Sequence, residues 1–381
     1  MKDTQAIPGC YPTTKSGALF MAMELSAKNW KLCFTDGSVG KRYRLMATEE
    51  YRTLPVEVEM AKRRFGLPNT APVCSCYEAG RDGFWIHRYL ESLGVGNTVV
   101  DSSSIERPQR GRNKKTDRLD AHSLARMLIR YHHGERQVWS VVRIPSEEAE
   151  DARRTHRELD RLKQERTAHS NRIHSLLVTQ GLSIPLKRNF LSLLESAHRW
   201  DGSPLEECLK AELIREYHRR MMVHDQILRL EKQRDAALER GATPAVRQVS
   251  GLVRLHGIGK ISAWTVVYEF FAWRKFANRR QVGGAAGLTG TPYNSGDREI
   301  DQGISKAGNR RIRKLMVEIA WRWLQFQPNS ALSLWFQERF AGGGKRQRRV
   351  GIVALARKLL IALWKYVEFG EVPAGAKLME V

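Results

Sequence analysis

Three short apolar runs near the start of the chain leave little room between them, and that spacing constrains the fold more than any other feature. Residues 18–25, 30–35 and 43–47 are separated only by the turn signals SAKN and DGSVG, which predicts a three-stranded meander with short turns. Residues 48–65 then open on a polar cap and carry helical spacing, 72–77 read as a strand, and 83–93 as a helix. A short strand at 98–100 precedes a helix over 116–131, whose main apolar residues are Leu119, Leu124 and Leu128. The order βββαβαβα predicts an α/β domain in which helices pack on a mixed sheet.

Ribonuclease-H-like folds have that order. From about residue 145 the pattern changes. Residues 147–178 are highly charged, with Leu159, Leu162, Ile173, Leu176 and Leu177 as a sparse apolar stripe. Residues 209–240 repeat the style with Ile214, Met221, Ile227, Leu228 and Leu230. Two long helices joined by a loop over 181–204 make an antiparallel pair or a dimerising arm, although a solvated helical linker has the same pattern. A third, mostly helical region starts near Thr243. Within it, Leu255-His256-Gly257-Ile258-Gly259-Lys260 ahead of an apolar helix matches a helix-hairpin-helix turn. Gly257 and Gly259 would let backbone N–H groups approach a phosphate beside Lys260, while an ordinary glycine-rich turn accounts for the same residues.

Charge narrows the partner. The chain has 64 Lys and Arg against 41 Asp and Glu, a net charge of +23, which points to DNA or RNA. The excess is spread along the chain, and a 42% hydrophobic content with ten Trp implies folded domains. Five cysteines form no CxxC pair and no zinc spacing, so they read as reduced thiols in a cytoplasmic protein. The opening MKDTQAIPGCYPTTKSG does not read as a signal peptide. No apolar run approaches the roughly 18 residues that span a bilayer.

Acids are costly in such a basic nucleic-acid binder, because they repel the phosphates it attracts. Asp117 and Asp120 lie at i and i+3 on one helix face, roughly 5–6 Å apart. Glu24 ends the first predicted strand and Glu78 the fourth, and in a ribonuclease-H-like sheet those strands are neighbours. Four acids that converge in this way can bind two divalent ions, Mg²⁺ or Mn²⁺, at a scissile phosphate. Taken singly, Asp117 also suits the first turn of any helix. Arg107, Arg110, Arg112, Lys114 and Lys115 precede Asp117 and can either guide a phosphate backbone or form a solvated loop.

A second chemical focus is residues 283–313. Ser295 precedes Gly296 in a Gly/Asn/Pro-rich loop that is expected to expose its hydroxyl, with Lys306, Arg310, Arg311 and Arg313 nearby to neutralise a phosphate. A serine there is also a common turn former, and Thr291 and Ser305 are alternative hydroxyls. Residues 342–349, GGGKRQRR, introduce an amphipathic helix with Leu355, Leu359 and Leu363; this is no P-loop and reads as a basic hinge on nucleic acid.

The stretches YEAGRDGFWIHR, KKTDRLDAHSLARML, LHGIGKISA, GLTGTPYNSGD, ISKAGNRRIRKL and GGGKRQRRVGIVALARKLL occur in one order across residues 18–370. Together they resemble bacterial insertion-sequence transposases of the DEDD type, insertion-sequence family one-hundred-ten. The resemblance implies a RuvC-like metal-binding domain over 18–140, a helical arm or coiled coil over 141–242 and a C-terminal transposase domain over 243–381. It implies cleavage and rejoining of DNA at element ends and target, guided by a non-coding RNA, by a dimer or tetramer in the bacterial cytoplasm at the nucleoid. The metal-binding acids fall on Glu24, Glu78, Asp117 and Asp120, and the attacking serine on Ser295. The first acid is commonly Asp in a DVS-like motif, whereas this chain has Met23-Glu24-Leu25-Ser26, one methylene longer. Gly290 stands where Pro is common, with Pro292 two residues later, which keeps Thr291 in view. Two other readings compete: a RuvC-like structure-specific nuclease that needs the acids but not Ser295, and a non-catalytic nucleic-acid-binding scaffold.

Overall fold

The structure, a computed structural model, describes residues 17–105, 117–295 and 298–379, with residues 117–120, 292–295 and 298–302 described through their backbone. Arg107, Arg110, Arg112, Lys114, Lys115 and Gly296 lie outside the described residues. The chain forms two compact units, which meet in sequence between Ile144 and Pro145.

The first unit is a five-stranded sheet of β1 (Leu19–Leu25), β2 (Asn29–Thr35), β3 (Arg42–Ala47), β4 (Val73–Glu78) and β5 (Gly96–Val100), in the order β3-β2-β1-β4-β5. The first three strands form the antiparallel meander, and β4 and β5 run parallel to β1. The central strand β1 is buried on both faces, which is why it reads as one apolar run. Leu19, Met21 and Met23 pack with Trp30, Leu32 and Phe34 under α1 (Leu54–Arg64) and α2 (Trp85–Ser92). Phe20 and Ala22 pack with Cys33, Cys74 and Cys76 on the other face, under Leu124, Ala125 and Leu128 of α3 (Asp117–His132).

The single helix expected over 48–65 is instead a 3₁₀ turn, Thr48–Thr53, followed by α1. Pro55 explains the break, since a proline has no N–H and fits the first turn of a new helix. The buried carboxylate of Glu57 on α1 pairs with Arg42 and Arg44 and ties the edge strand β3 to the helix layer. Cys33, Cys76 and Cys208 are free thiols, but Cys74 is disulfide-bonded, against the expectation of reduced thiols throughout. Cysteine spacing alone does not reveal which thiols the fold brings together.

The second unit begins with α4 (Glu147–Asp151) and the long α5 (Arg154–Val178), passes the short α6 (Phe190–Glu195) and returns along α7 (Glu207–Arg240). Residue partners run Lys163 to Glu231, Arg166 to His224 and His169 to Glu216, so α5 and α7 are antiparallel. Leu159 and Leu162 meet Val223 and Ile227 near one end of the pair. Ile173 and Leu177 meet Phe190, Leu213 and Tyr217 near the other. Between these clusters the buried Glu216, 3% exposed, accepts from His169, Arg172 and Arg219.

The remainder is a helical body with one apolar core. It comprises α8 (Pro244–Val253), α9 (Lys260–Val266), a π-helical turn over Val267–Phe271, α10 (Arg279–Ala285), α11 (Arg310–Phe326), α12 (Ala331–Phe340) and α13 (Lys345–Phe369). Leu355, Leu359 and Leu363 of α13 are buried in that core. A two-stranded antiparallel hairpin, β6 (Gly290–Ser295) and β7 (Arg298–Ile304), interrupts the helices where the sequence predicts a loop. The pairing is irregular between Gly290 and Pro292, as expected where proline supplies no N–H to a ladder. No helix among the described residues is long and apolar enough to cross a membrane.

Candidate active site and nucleic-acid-binding surfaces

The acid positions follow from strand register. β1 and β4 pair in parallel from Leu19 beside Val73 to Met23 beside Tyr77, so Glu24 and Glu78 come next, level with each other, Glu78 ending β4 and Glu24 one residue before the end of β1. By alternation both belong to the face of Ala22 and Cys76, which α3 covers. Glu24 is half-buried and Glu78 exposed. On β2, Lys31 lies opposite Glu24.

The direction of α3 completes the geometry. His132, its last residue, meets the ring of Phe20 near the start of β1 with centroids 5.6 Å apart. Further up the helix, the Leu124 carbonyl accepts from the Cys76 thiol, level with Ala22. The helix therefore runs against β1, and its first turn, which contains Asp117 and Asp120, lies toward the end of the sheet that carries Glu24 and Glu78. Two residues on, His122 meets the Lys41 ammonium, and burial, then Lys41 and Arg126, hold its imidazole below the ordinary range. A neutral His122 can accept that hydrogen bond at pH 7.

Carboxylates such as these four are hard oxygen donors of the kind that Mg²⁺ and Mn²⁺ prefer. Among the described side chains, which exclude those of Asp117 and Asp120, no three His, Cys, Asp or Glu form a metal-holding group.

Ser295 is the last residue of β6 and pairs with Arg298 of β7, so it occupies the tip of a hairpin, not a loop. The Thr291 hydroxyl lies near the hairpin root and donates to the Gly303 carbonyl at 3.0 Å across the strands. That root is clasped. Ser305, Lys306 and Asn309 donate backbone N–H groups to the carbonyls of Thr289, Gly287 and Ala285. A Cβ on Gly287 would lie 1.8 Å from the Ala307 carbonyl oxygen, and one on Gly308 2.3 Å from that of Ala285. Both residues also have positive φ, so only glycine fits either position.

The cations singled out by sequence divide into two groups. Lys306 and Arg310 are exposed at the foot of the hairpin. Arg311 pairs with Asp160 of α5, and Arg313 donates to the Ala286 carbonyl, so both are engaged by the protein itself. Lys260 lies 3.5 Å from Asp235 of α7. The turn over 255–260 links α8 to α9, and Gly257 has φ +90° with its Cα against Phe326, where a Cβ would sit 3.1 Å from the Phe326 Cβ. His256 and Gln327 join this turn to Lys377 near the end of the chain. Gly257 is thus explained by packing. Lys345, Arg346, Arg348 and Arg349 are all exposed on the first turn and a half of α13.

Sequence reasoning missed one polar centre. Glu269 is 1% exposed in the π-helical turn, and its carboxylate accepts from His156 and, in a two-bond fork, from Arg157 of α5. A lone acid in the apolar run VVYEFF was the available signal, but its partners are more than a hundred residues away in sequence.

Comparison with known proteins identifies the family. Residues 250–334 match the model described as transposase, IS116/IS110/IS902 family, and residues 78–180 match a transposase model of the DEDD IS110 type. The protein y4rJ of Sinorhizobium fredii, which carries a transposase name, is 40% identical over 374 residues, covering 94% of both chains. The transposase for insertion sequence element IS1328 of Yersinia enterocolitica is 24% identical, over 80% of this chain and 86% of the relative. The transposase for IS1111A of Coxiella burnetii is 26% identical over 73% of each. The chain belongs to the IS116/IS110/IS902 family of transposases, enzymes that act on DNA.

Proposed function

We propose that this transposase cleaves and rejoins DNA strands at the ends of its element and at the target, with Ser295 as nucleophile and with Glu24, Glu78, Asp117 and Asp120 as a metal-holding set. The observation that carries the reading is the level placement of Glu24 and Glu78 on the parallel strands β1 and β4, on the face that α3 covers. The strand order β3-β2-β1-β4-β5 supports a ribonuclease-H-like, RuvC-like first domain. Glu24, Glu78, Asp117 and Asp120 would hold Mg²⁺ or Mn²⁺, which would supply positive charge at a phosphate undergoing cleavage.

The Ser295 Oγ forms a bond to phosphorus as the bond to the leaving deoxyribose oxygen breaks. The hydroxyl proton ends on that oxygen, giving a DNA–phosphoserine linkage and a free hydroxyl end. A hydroxyl end of the second strand then attacks the linkage and releases Ser295. Lys306 and Arg310, exposed at the foot of the hairpin, suit contacts to the DNA backbone away from the phosphate under attack. Thr291 is the less suited hydroxyl, since it already donates across the hairpin.

The exposed basic turn of α13 and the net charge of +23 suit a second polyanion, a guide RNA from the element itself. The arm, whose α7 exposes Met222 and Leu228, supplies the surface for self-association into a dimer or tetramer that holds two DNAs.

The test incubates the protein with Mg²⁺, duplex DNA spanning the element ends and RNA transcribed from the element's non-coding flank. A covalent protein–DNA adduct that disappears in Ser295→Ala is expected. Cleavage without an adduct would instead indicate a structure-specific nuclease, and binding alone a scaffold. Asp120→Asn is expected to keep DNA binding while cleavage stops.

A further inference from the structure

Two helices converge on Glu269. From α5, His156 Nε2 approaches its carboxylate at 2.8 Å, and Arg157 donates through Nε at 2.6 Å and Nη2 at 2.8 Å. From the start of α11, Arg311 Nε lies 4.0 Å from the same carboxylate, while the Arg311 Nη1 pairs with Asp160, one turn along α5 from His156. The Asn309 side chain caps α11 by accepting from the N–H groups of Arg311 and Ile312, and its Nδ2 lies 3.4 Å from the Glu269 carbonyl. Burial would raise the Glu269 carboxyl, but hydrogen bonds from Arg157 and His156 outweigh it and hold the group well below the usual range. Glu269 is therefore ionised at neutral pH.

This junction lies directly behind the hairpin root. Asn309 donates its backbone N–H to Ala285, and Gly308 is pressed against the same carbonyl. A shift of α11 at Arg311 would therefore pass through Asn309 and the clasp into β6 and β7. The side chain of Arg311 is already turned into the protein, with an acid partner on the arm.

We propose that the Asp160–Arg311–Glu269 bridge is a positioning device through which arm helix α5 sets the Ser295 hairpin, so that Arg311 acts on the protein and not on a DNA phosphate. The proposal rests on Ser295 as the nucleophile. A displacement of about 1 Å in a reacting group can cost on the order of a hundredfold in rate. A phosphate-binding arginine behaves differently: its loss weakens binding and lowers the salt dependence by about one counterion.

The full-length protein with Mg²⁺, element-end duplex and flank RNA distinguishes these roles in single turnover. Arg311→Gln is expected to slow adduct formation at saturating DNA by about tenfold or more, while the final amplitude, the Kd and its salt dependence stay as in the parent. A merely structural loss would lower the amplitude and leave the rate constant. Asp160→Asn, on a partly exposed side chain, is expected to act in the same direction and keeps the test available if Arg311→Gln does not fold. The double variant is expected to be no slower than the slower single one. A rate constant within about twofold of the parent for both single variants would overturn the bridge, as would a loss confined to Kd with a reduced salt slope. Ser295→Ala, run alongside, separates the two claims. An adduct that persists there removes the nucleophile reading, whereas its loss there, with a parental rate in Arg311→Gln, removes only the bridge.

Discussion

The sheet of the first unit and the arm of the second hold themselves together by different means. Strand β1 buries Leu19, Phe20, Met21, Ala22 and Met23 between two helix layers, so its stability comes from apolar volume on both faces. The helices α5 and α7 bury a thin stripe, and between its two clusters they close around one carboxylate, Glu216, held by two arginines and a histidine. The sheet should therefore be sensitive to cavities and the arm to protonation. A region that carries a reaction gains from the first kind of support, and a region that holds other parts in place can tolerate the second.

The strongest test of that contrast is Phe34→Ala. It removes a fully buried ring from the sheet core and should cost about 3–5 kcal/mol, read as faster hydrogen exchange in β1 and β2. Exchange in α5 and α7 should stay unchanged; joint opening would break the contrast. Glu216→Gln should cost about 2 kcal/mol and act on the arm alone, because it removes charge-assisted bonds from His169, Arg172 and Arg219.

Acid titration separates the regions more gently. Burial would raise the Glu216 carboxyl, yet bonds from His169, Arg172 and Arg219 hold it at about 2 against an ordinary 4.5. A carboxyl lowered in the folded state contributes stability that is complete above its unfolded value and lost as pH falls through its folded one. Arm helicity followed by circular dichroism should thus become easier to melt between about pH 4.5 and 2, and Glu216→Gln should abolish that dependence. The smallest effect is expected from Arg161→Ala, whose partners Glu158 and Glu165 are solvent-exposed, at under about 0.5 kcal/mol in chemical denaturation.

The regular parts of this molecule were legible because their causes are local. Two tight turn signals define the meander, and the sparse stripes of 147–178 and 209–240 define the arm. The hairpin was not legible. Gly290, Pro292 and Asn294 have the composition of a loop, and what makes them a strand is a partner sequence, together with a clasp at Gly287 and Gly308 that only tertiary contact reveals. Arg311 shows the same limit. In sequence it is one of a basic cluster, and nothing there reveals Asp160, 151 positions earlier, as its partner. Likewise Gly257 resembles a phosphate-binding glycine until Phe326 appears beside it.

The clasp at the hairpin root has a consequence for how such a chain can change. Its hydrogen bonds run between backbone groups of 285–289 and 305–309, and its side-chain demands reduce to the absence of one at two positions. The strands beyond it can therefore be rewritten or lengthened without disturbing their attachment, much as a tool bit can be exchanged in a fixed chuck. Lineages of this element are free to diversify there, provided that both glycines and the proposed nucleophile Ser295 persist.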